Sequence, residues 1–511
     1  MAPKFIECAR EQAFLMPPSL RDWVPEDHLV WTILEAVEEM NLDAFYADYR
    51  ADGHGRPAYD PKMMVALLLY TYAKGNRSSR GIERACQEDV AYRVICANHV
   101  PDHSTIAEFR RRHESALADL FTSVLSLCEE AGLVRVGVIA IDGTKIAANA
   151  SLDANRGYEW IVREILKEAE EIDRAEDERF GEARGDEQPE QLRTREGRRA
   201  ALREAKRRLE AEQESPEPAS QPAAEPSLLQ GRAIGQGRRG WLREGRRQLD
   251  ELRAQEARPI ARSREARLLE SRRRLEEELE AERSANEAYE AYRSRGVMRD
   301  GRRFGGEPRP SKPYEPPATP TGSINTTDHD SRIVRTQGQP ATQGYNAQAA
   351  VSEDQIIVAA EITVESPDFG HLEPMVEATA AELKEAGVTD SPQTVVADPG
   401  YWHTRQMESV VNGGIQVLIP PDSGVRKGTR PGWDKGIYAF MRRVLQTEHG
   451  QAIYRRRMAT VEPVIGQLKF NRGFTRFRRR GRSAVRSEWR LAAATHNLLK
   501  LHTHRLGAAR A

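Results

Sequence analysis

The stretch VRVGVIAIDGTKIAANAS, residues 134–151, is where helical spacing of apolar residues gives way to a continuous apolar, β-branched run. Such a run is typical of a strand that is buried on both faces of a sheet. It ends in Asp-Gly, so we expect the strand to deliver Asp142 at its far end. A buried strand of this kind is typical of an α/β fold.

The sequence before this strand predicts a helical N-terminal domain, residues 1–130. Four segments between residues 20 and 130 place apolar residues at helical spacing. Pro61 follows Asp60 at a first-turn position, and Ser104 is a predicted N-cap. The helix from Ser104 carries the basic run 110–113, Arg-Arg-Arg-His. It is either a helix that reads a DNA end or an amphipathic helix with a solvated basic face.

The sequence after this strand predicts an insertion, residues 152–322. It is rich in Arg and Glu and poor in large apolar residues. The heptad-like pieces IVREILKEAEEIDRAEDERF and REARLLESRRRLEEELEAER flank a Pro/Gln/Gly-rich break, residues 215–240. This pattern indicates an antiparallel helical hairpin with charged faces, or a partly disordered arm. The Pro-rich stretch EPRPSKPYEPPATPTG ends it.

Strand patterns return in residues 323–505, which with residues 131–151 form the predicted catalytic domain. GYNAQAAVSEDQIIVAAEITVE predicts a hairpin, and EPMVEATAAELKEAG predicts a helix. TVVADPGYW predicts a buried strand that ends at Asp398, and GIQVLIPP predicts another. The tail is helical around Glu462 and again in SEWRLAAATHNLLKLHTHRL. The order predicts a mixed sheet with helices on its faces.

Charge is distributed very unevenly along the chain. The formal net charge is −1, yet residues 425–511 hold 21 Lys and Arg against four Asp and Glu, a net of +17. A basic surface of this density binds a phosphate backbone. Within the basic run YRRRMATVEPVIGQLKFNRGF, residues 454–474, Glu462 is the one acidic residue. A carboxylate there repels nucleic acid unless a cation sits on it, so we expect a divalent metal.

Three acidic residues can serve as ligands for such metals. Asp142 and Asp398 each end an apolar strand, where ligands collect at the carboxyl ends of strands. With Glu462 they could hold two Mg²⁺ or Mn²⁺ ions for an in-line phosphodiester displacement. Taken singly, each Asp could be only a turn former and Glu462 only a surface ion pair.

The chain contains no apolar run of membrane-spanning length, and its N-terminus MAPKFIECAREQ has no signal-peptide layout. We therefore expect a cytoplasmic protein. The four cysteines form no CxxC pair, which favours reduced thiols. Zinc bound by Cys86 and Cys96 with His99 or His103 is the weaker alternative.

Several segments together resemble the DDE transposases of bacterial insertion sequences, in the IS4/IS5-like group. They are AIDGTKIAANAS, TTDHDSR, GYNAQ, VVADPGYW and the residues Tyr454, Arg457, Glu462 and Lys469, which resemble that group's Tyr–Arg–Glu–Lys signature. Four residues separate Arg457 from Glu462, one more than is usual in the group. The N-terminal region is similar to the InsH-type domain. The resemblance covers about residues 1–150 and 320–505.

The resemblance implies an RNase H-like catalytic domain in which Asp142, Asp398 and Glu462 are the catalytic, metal-binding residues. It also implies that Tyr454, Arg457 and Lys469 contact DNA near the scissile phosphate. Helical spacing adds that Lys469 lies two turns after Glu462 on nearly the same face, roughly 10 Å along the axis. Pro463 either opens this helix or kinks it.

Four further residues are possible lining residues of the site. Tyr345, Asn346 and Gln348 in GYNAQ could line it, but they equally suit a strand edge and turn. Trp402 could stack on a flipped base or pack in the core.

The predicted function is therefore that of a transposase, which would bind double-stranded DNA at terminal inverted repeats and join the freed 3′-hydroxyls to target DNA. It would act on the nucleoid, away from any membrane, as a homodimer or higher oligomer. The alternatives are an RNase H-like nuclease without strand transfer and a non-catalytic DNA-binding protein derived from a transposase.

Overall fold

A computed structural model describes residues 19–49, 58–180, 237–256, 260–294, 314–335, 338, 340–422 and 435–510. The chain divides into two compact units, Met1–Ala154 with Thr327–Ala511, and Asn155–Thr326. Within the described ranges, no helix is long and apolar enough to cross a membrane.

The elements are numbered along the chain. The helices are α1 Leu29–Glu39, α2 Asp43–Tyr46, α3 Pro61–Ala73, α4 Ser79–Glu88, α5 Val90–Ile95, α6 His103–Arg112, α7 Glu114–Glu130, α8 Tyr158–Phe180, α9 Arg238–Glu256, α10 Arg264–Ser294, α11 Leu372–Glu385, α12 Thr404–Asn412, α13 Gly436–Gln446, α14 Glu448–Gly466 and α15 Arg482–Arg510. The strands are β1 Val138–Ala147, β2 Asn155–Gly157, β3 Ser323–Asn325, β4 Arg332–Val334, β5 Thr342–Val351, β6 Ile357–Thr363, β7 Thr394–Ala397 and β8 Gln416–Leu418.

The N-terminal region is helical, but two of its predicted helices are each divided in two. Asp89 ends α4 and caps α5, because its carboxylate accepts from the backbone of Ala91 at 2.8 Å. His113 leaves helical geometry between α6 and α7. Both breaks lie at residues that interrupt the chain locally without disturbing its apolar spacing.

The caps of two helices test the local predictions. Asp60 caps α3 with Pro61 in its first turn, as the sequence indicates. The predicted N-cap Ser104 is wrong: the cap of α6 is Asp102, whose carboxylate accepts from the backbone of Thr105 at 2.9 Å. The carboxylate of Asp102, two residues before Ser104, therefore caps this helix in place of the Ser104 hydroxyl.

The three cysteines of the N-terminal region that the structure describes, Cys86, Cys96 and Cys128, are buried free thiols. Cys86 Sγ and Cys96 Sγ are 3.8 Å apart, well beyond a disulfide bond of about 2.05 Å. Among the residues that the structure describes, no cluster of His, Cys, Asp or Glu could hold a metal ion. The zinc alternative for Cys86 and Cys96 is therefore not favoured.

A mixed six-stranded sheet forms within the described part of the larger unit. Its order is β6–β5–β1–β7–β8, with β4 beside the start of β5. β5 runs antiparallel to both β1 and β6, whereas β7 is parallel to β1 and β8 is parallel to β7. The central position of β1 explains its continuous apolar run, because both of its faces are covered. The predicted RNase H-like α/β fold is confirmed.

One hydrophobic core joins this sheet to the N-terminal helices. The C-terminal helix α15 lies in that core, packed against α3, α7 and β6. Its Trp489 is fully buried, and its Arg490 forms a buried ion pair with Glu382 of α11. The helix that ends the chain therefore links the N-terminal helices to the sheet.

The smaller unit is helical. Tyr158 donates to Glu276 near the start of α8, while Glu164, further along α8, pairs with Arg264 at the start of α10. Partner numbers fall along α10 as they rise along α8, so the two helices are antiparallel. This is the predicted helical hairpin, extended by α9, which also packs on α10. Most of the Pro/Gln/Gly-rich break, residues 215–236, lies outside the described residues.

Candidate active site

Asp142 and Asp398 lie side by side where β7 ends. The parallel pairing of β1 and β7 runs from Val138↔Thr394 to Ile141↔Ala397, and the two aspartates are the next residue of each strand. Asp398 follows β7 directly, as predicted. Asp142 does not end its strand, because β1 continues to Ala147 through its pairing with β5. Asp142 therefore lies where the pairing of β1 with β7 ends, and β1 itself continues beyond it.

The two carboxylates are held in an environment that disfavours their charged forms. Burial raises the pKa of Asp142 to about 6, with Arg457 opposing the shift and the charge of Asp398 adding to it. Burial also raises the pKa of Asp398, and the nearby charge of Asp368 adds to that shift. A bound cation would therefore stabilise the charged forms of these two adjacent, partly buried carboxylates.

Helix α14 brings Glu462 to this pair through Arg457. The guanidinium of Arg457 bridges the two acids: its Nη2 lies 3.0 Å from Asp142 Oδ2, and its Nη1 lies 3.3 Å from Glu462 Oε1. The Arg457 side chain is 12% exposed and that of Glu462 is 47% exposed. Despite its unusual spacing from Glu462, Arg457 is thus the residue that links the acids of strand and helix.

Tyr454 and Lys469 flank this bridge along the chain. Tyr454 lies one turn before Arg457 and is half-buried, and burial raises the pKa of its hydroxyl, so it stays a neutral phenol. Lys469 Nζ donates to Thr144 Oγ1 at 2.7 Å and to the carbonyl of Lys145 at 3.1 Å. Since Thr144 shares a strand face with Asp142, Lys469 fastens the end of the helix beside the site.

The helix does not begin at Pro463, which lies inside α14. The proline has no N–H to donate to the carbonyl of Ala459, four residues earlier. The side chain of Gln355 in the β5–β6 turn supplies that bond at 2.8 Å. After Gly466 the helix widens into a π-turn, Gln467–Asn471. The α-helical projection of Lys469 onto the Glu462 face therefore does not hold past Gly466.

A fourth carboxylate, Asp368, stands beside the pair and was missed from the sequence. Lys145 Nζ lies 3.0 and 3.1 Å from its two carboxylate oxygens. Asn346 Nδ2 and Gln348 Nε2 also donate to Asp368, at 2.8 and 2.9 Å. Asp368 lies in the loop after β6, where no periodic pattern marks it. Lys145 was the available signal, because a lysine on a central strand needs a carboxylate.

Glycine at position 143 makes room for this arrangement. A Cβ at Gly143 would collide with the Asp368 carboxylate and the Gln348 amide. The Asp-Gly step that resembles a turn signal therefore has a packing reason inside a strand.

The residues of GYNAQ divide by strand face. Asn346 and Gln348 both donate to Asp368. The side chain of Gln348 also accepts from the Tyr401 hydroxyl, and its backbone carbonyl accepts from Trp489 Nε1 at 2.9 Å.

Tyr345 points to the other face and donates to Asp328 at 2.7 Å. Successive side chains alternate across a strand, so Tyr345 does not line the site.

Trp402 is a core residue in this structure. It is 8% exposed, and its ring lies 4.8 Å from that of Tyr438 in α13. The packing alternative that the sequence left open describes it, and stacking on a flipped base would need it exposed.

The arginines of α6 each have a partner within the protein, although Arg111 and Arg112 are exposed. Arg110 is buried and donates to the carbonyl of Arg77 at 2.9 Å. Arg111 pairs with Glu108, and Arg112 donates to the carbonyl of Asp48. Arg110 is thus structural, while the exposed Arg111 and Arg112 suit either a helix that reads a DNA end or a solvated basic face.

Hard oxygen donors are the ligands that Mg²⁺ and Mn²⁺ prefer, so the chemistry of Asp142, Asp398 and Glu462 fits these ions. In the part of the chain that the structure describes, however, no three such groups converge on a single point. The positive charge between Asp142 and Glu462 is instead that of Arg457.

Two family models match the chain. A transposase domain (DUF772) matches residues 18–112, and a transposase DDE domain matches residues 428–502. The first covers α1 to α6, and the second covers α14 with Tyr454, Arg457, Glu462 and Lys469. No curated protein and no solved structure matches the chain significantly. With the sheet order found, these matches support a DDE transposase of an insertion sequence.

Proposed function

We propose that this transposase binds the terminal inverted repeats of its element, cleaves phosphodiester bonds there and joins the freed 3′-hydroxyls to target DNA. The observation that supports the proposal is that Arg457 pairs with both Asp142 and Glu462, while Asp398 follows the strand beside Asp142. Positioning and electrostatics then supply the catalysis, and no covalent protein–DNA intermediate is needed.

The three carboxylates would hold two Mg²⁺ or Mn²⁺ ions, whose chemistry is to activate a water or a 3′-hydroxyl and to stabilise the leaving oxygen. The protein's own residues do the rest. Burial disfavours the charged forms of Asp142 and Asp398, so a bound cation would stabilise these forms. Arg457 neutralises Asp142 and Glu462 when no ion is bound. Arg457 would then be free to bind a DNA phosphate when the acids are otherwise neutralised.

The Asp368–Lys145 pair would hold Asp398 in position beside Asp142. Lys145 is held by both oxygens of Asp368, and the same carboxylate orders Asn346 and Gln348. The pair places one positive and one negative charge next to Asp398 without exposing either fully. Its role is to fix the loop after β6 against β1, so that Asp398 keeps its place beside Asp142.

The basic C-terminal segment supports binding to DNA. Its net charge of +17 over residues 425–511 suits a phosphate backbone and predicts affinity that falls steeply as salt rises. Because two element ends are joined in one event, we expect a dimer or higher oligomer on DNA. The site of action would be the nucleoid, in the cytoplasm.

A strand-transfer assay tests the proposal. The full-length protein is incubated with a labelled duplex carrying the DNA that borders its reading frame, with supercoiled plasmid and with Mg²⁺ or Mn²⁺. We expect the label to appear in plasmid-sized product. Cleavage of the duplex without any joined product would reduce the function to that of an RNase H-like nuclease. Binding without cleavage would leave a non-catalytic DNA-binding protein.

A further inference from the structure

Phe470 presents an aromatic ring to solvent at the rim of the candidate active site. Among the described residues it is the most exposed large apolar side chain, at 84%. A single exposed apolar residue is ordinary on a protein surface. Two features of its surroundings make this one informative: its backbone is fixed, and its neighbours are basic.

The backbone on both sides of Phe470 is anchored. Leu468 is buried, and Lys469 is bonded to Thr144 and to the carbonyl of Lys145 on the strand that carries Asp142. Arg472, two residues on, is buried and bonded to Thr495 at 3.2 Å. The π-turn Gln467–Asn471 thus leaves Phe470 exposed between the buried Leu468 and the buried Arg472. Such turns are rare and are frequent at functional sites.

The segment after the turn carries exposed arginines along the same edge. Residues 475–477 lie against the end of β1, because the backbone of Ala147 donates to the carbonyl of Thr475 at 3.1 Å and accepts from Phe477 at 2.8 Å. Phe477 is buried, and Arg476 and Arg478 on either side of it are exposed. The segment of Phe470 and that of the two arginines are thus both bonded to the second half of β1, at Thr144–Lys145 and at Ala147. An exposed aromatic ring together with spaced basic side chains is the arrangement that binds unpaired nucleic acid strands.

We propose that Phe470 stacks on an unpaired base at the DNA end, while Arg476 and Arg478 bind phosphates of the same strand. The inference rests on the proposed function and adds to it the form of DNA that the site takes: an end whose terminal pairs are open. Opening a pair costs a few kcal/mol and least at a frayed or mismatched position, so stacking on Phe470 can offset it.

A second copy of this chain fits the surface less well. A symmetric contact through Phe470 would bring Arg476 and Arg478 of one copy close to the same residues of the other, and like charges would repel. A DNA strand supplies the opposite charge.

The test compares two labelled duplexes of equal length, one fully paired and one with mismatches in its last few pairs, at physiological ionic strength. The number of phosphates is the same, so only the open end differs. We expect the wild-type protein to bind the mismatched end about tenfold more tightly than the paired end. F470A and F470L should lose that preference, and F470W should keep it. The control is M458A, which removes another exposed apolar side chain, 62% exposed, on α14.

Wild-type protein without the preference, or F470A with the full preference, would overturn the inference and leave the proposed function intact. Wild-type protein that binds neither duplex would overturn both. Sedimentation of the protein alone distinguishes the second-copy alternative: if F470A dissociates an oligomer and leaves the preference unchanged, the surface is a protein contact.

Discussion

At the residue scale, the site combines the buried charges of Asp142 and Arg457 with the exposed carboxylate of Glu462. Asp142 and Asp398 could be predicted because each follows an apolar run, and Glu462 because it is an acid in a basic tail. Asp368 could not, since its loop has no periodicity and its partners are brought to it only by the pairing of β1 with β5. The central role of Arg457 likewise depends on how α14 crosses the strands, which spacing along the chain does not reveal.

The raised pKa of Asp142 predicts that its carboxylate lowers the stability of the folded protein at neutral pH. Its pKa is raised from 3.8 to about 6, so the folded state holds the proton more tightly than the unfolded state does. Below pH 3.8 the carboxyl is protonated in both states and does not change the free energy of unfolding. As the pH rises from 3.8 to about 6, the free energy of unfolding falls, and above that pH the loss is complete. D142N should therefore increase the free energy of unfolding at pH 7.5 by roughly 2 to 3 kcal/mol.

Urea unfolding of the metal-free protein measures this difference. The gain from D142N should shrink as the pH falls from about 6 toward 3.8. A D142N protein that is less stable than the wild type at neutral pH would show that Arg457 and the backbone compensate the charge fully.

Breaking the Lys145–Asp368 pair should destabilise the fold, because both side chains are about 15% exposed and the remaining charge would be poorly solvated. D368A leaves the ammonium of Lys145 without its partner and should cost roughly 3 kcal/mol in the free energy of unfolding. The double variant K145M/D368L removes both charges and should cost less than D368A alone. Equal stability of D368A and the wild type, measured by urea unfolding, would contradict a positioning role for Asp368.

At the element scale, most helices and strands could be predicted, and the errors lie where a single residue redirects the chain. Asp89 and His113 divide predicted helices, and Asp102 takes the cap assigned to Ser104. Pro463 sits inside α14 because Gln355 satisfies the carbonyl that the proline leaves without a donor. A contact more than one hundred residues away in sequence cannot be inferred from local pattern.

Gln355 and Pro463 should therefore be coupled energetically. Q355A leaves the carbonyl of Ala459 without this donor and should cost about 1 to 3 kcal/mol. P463A restores a backbone N–H for the same carbonyl, so Q355A should cost clearly less in the P463A background. Urea unfolding of the four proteins gives the coupling, and additive effects would exclude it. Gln355 also accepts from Lys500 at 2.6 Å, which sets the cost that remains.

At the scale of the whole molecule, the N-terminal helices and the sheet share one core, and the insertion is a separate compact unit. Arg77, just before α4, pairs with the buried Glu488 of α15 at 3.0 Å. The domain ranges derived from the sequence stay predictions. The succession of β1, β5, β6, β7 and β8 along the chain could be predicted because each has its own apolar run, whereas the short β4 was not predicted. How the chain folds the N-terminal helices onto α15 could not be foreseen, since that packing depends on contacts between distant segments.

Removal of the insertion should leave the larger unit folded. The insertion begins and ends in the paired strands β2 and β3, where Asn155 lies opposite Asn325. Antiparallel partners have Cα atoms roughly 5 Å apart, so a short Gly-containing turn can replace residues 156–324. We expect the shortened protein to unfold cooperatively in calorimetry with near-native near-ultraviolet circular dichroism. Aggregated protein without a cooperative transition would show that the larger unit needs the insertion.

The central claim is that Asp142, Asp398 and Glu462 act as one active site. The most direct measurement is the rate of cleavage of a labelled element end by D142N, D398N, E462Q and the double variant D142N/E462Q, with E448Q at the start of α14 as the control. Each single variant should lose at least about a hundredfold in rate, and the double variant should lose little more, because residues that act as a unit are not additive. A wild-type cleavage rate in any one of the three single variants would show that the three carboxylates do not act as one active site.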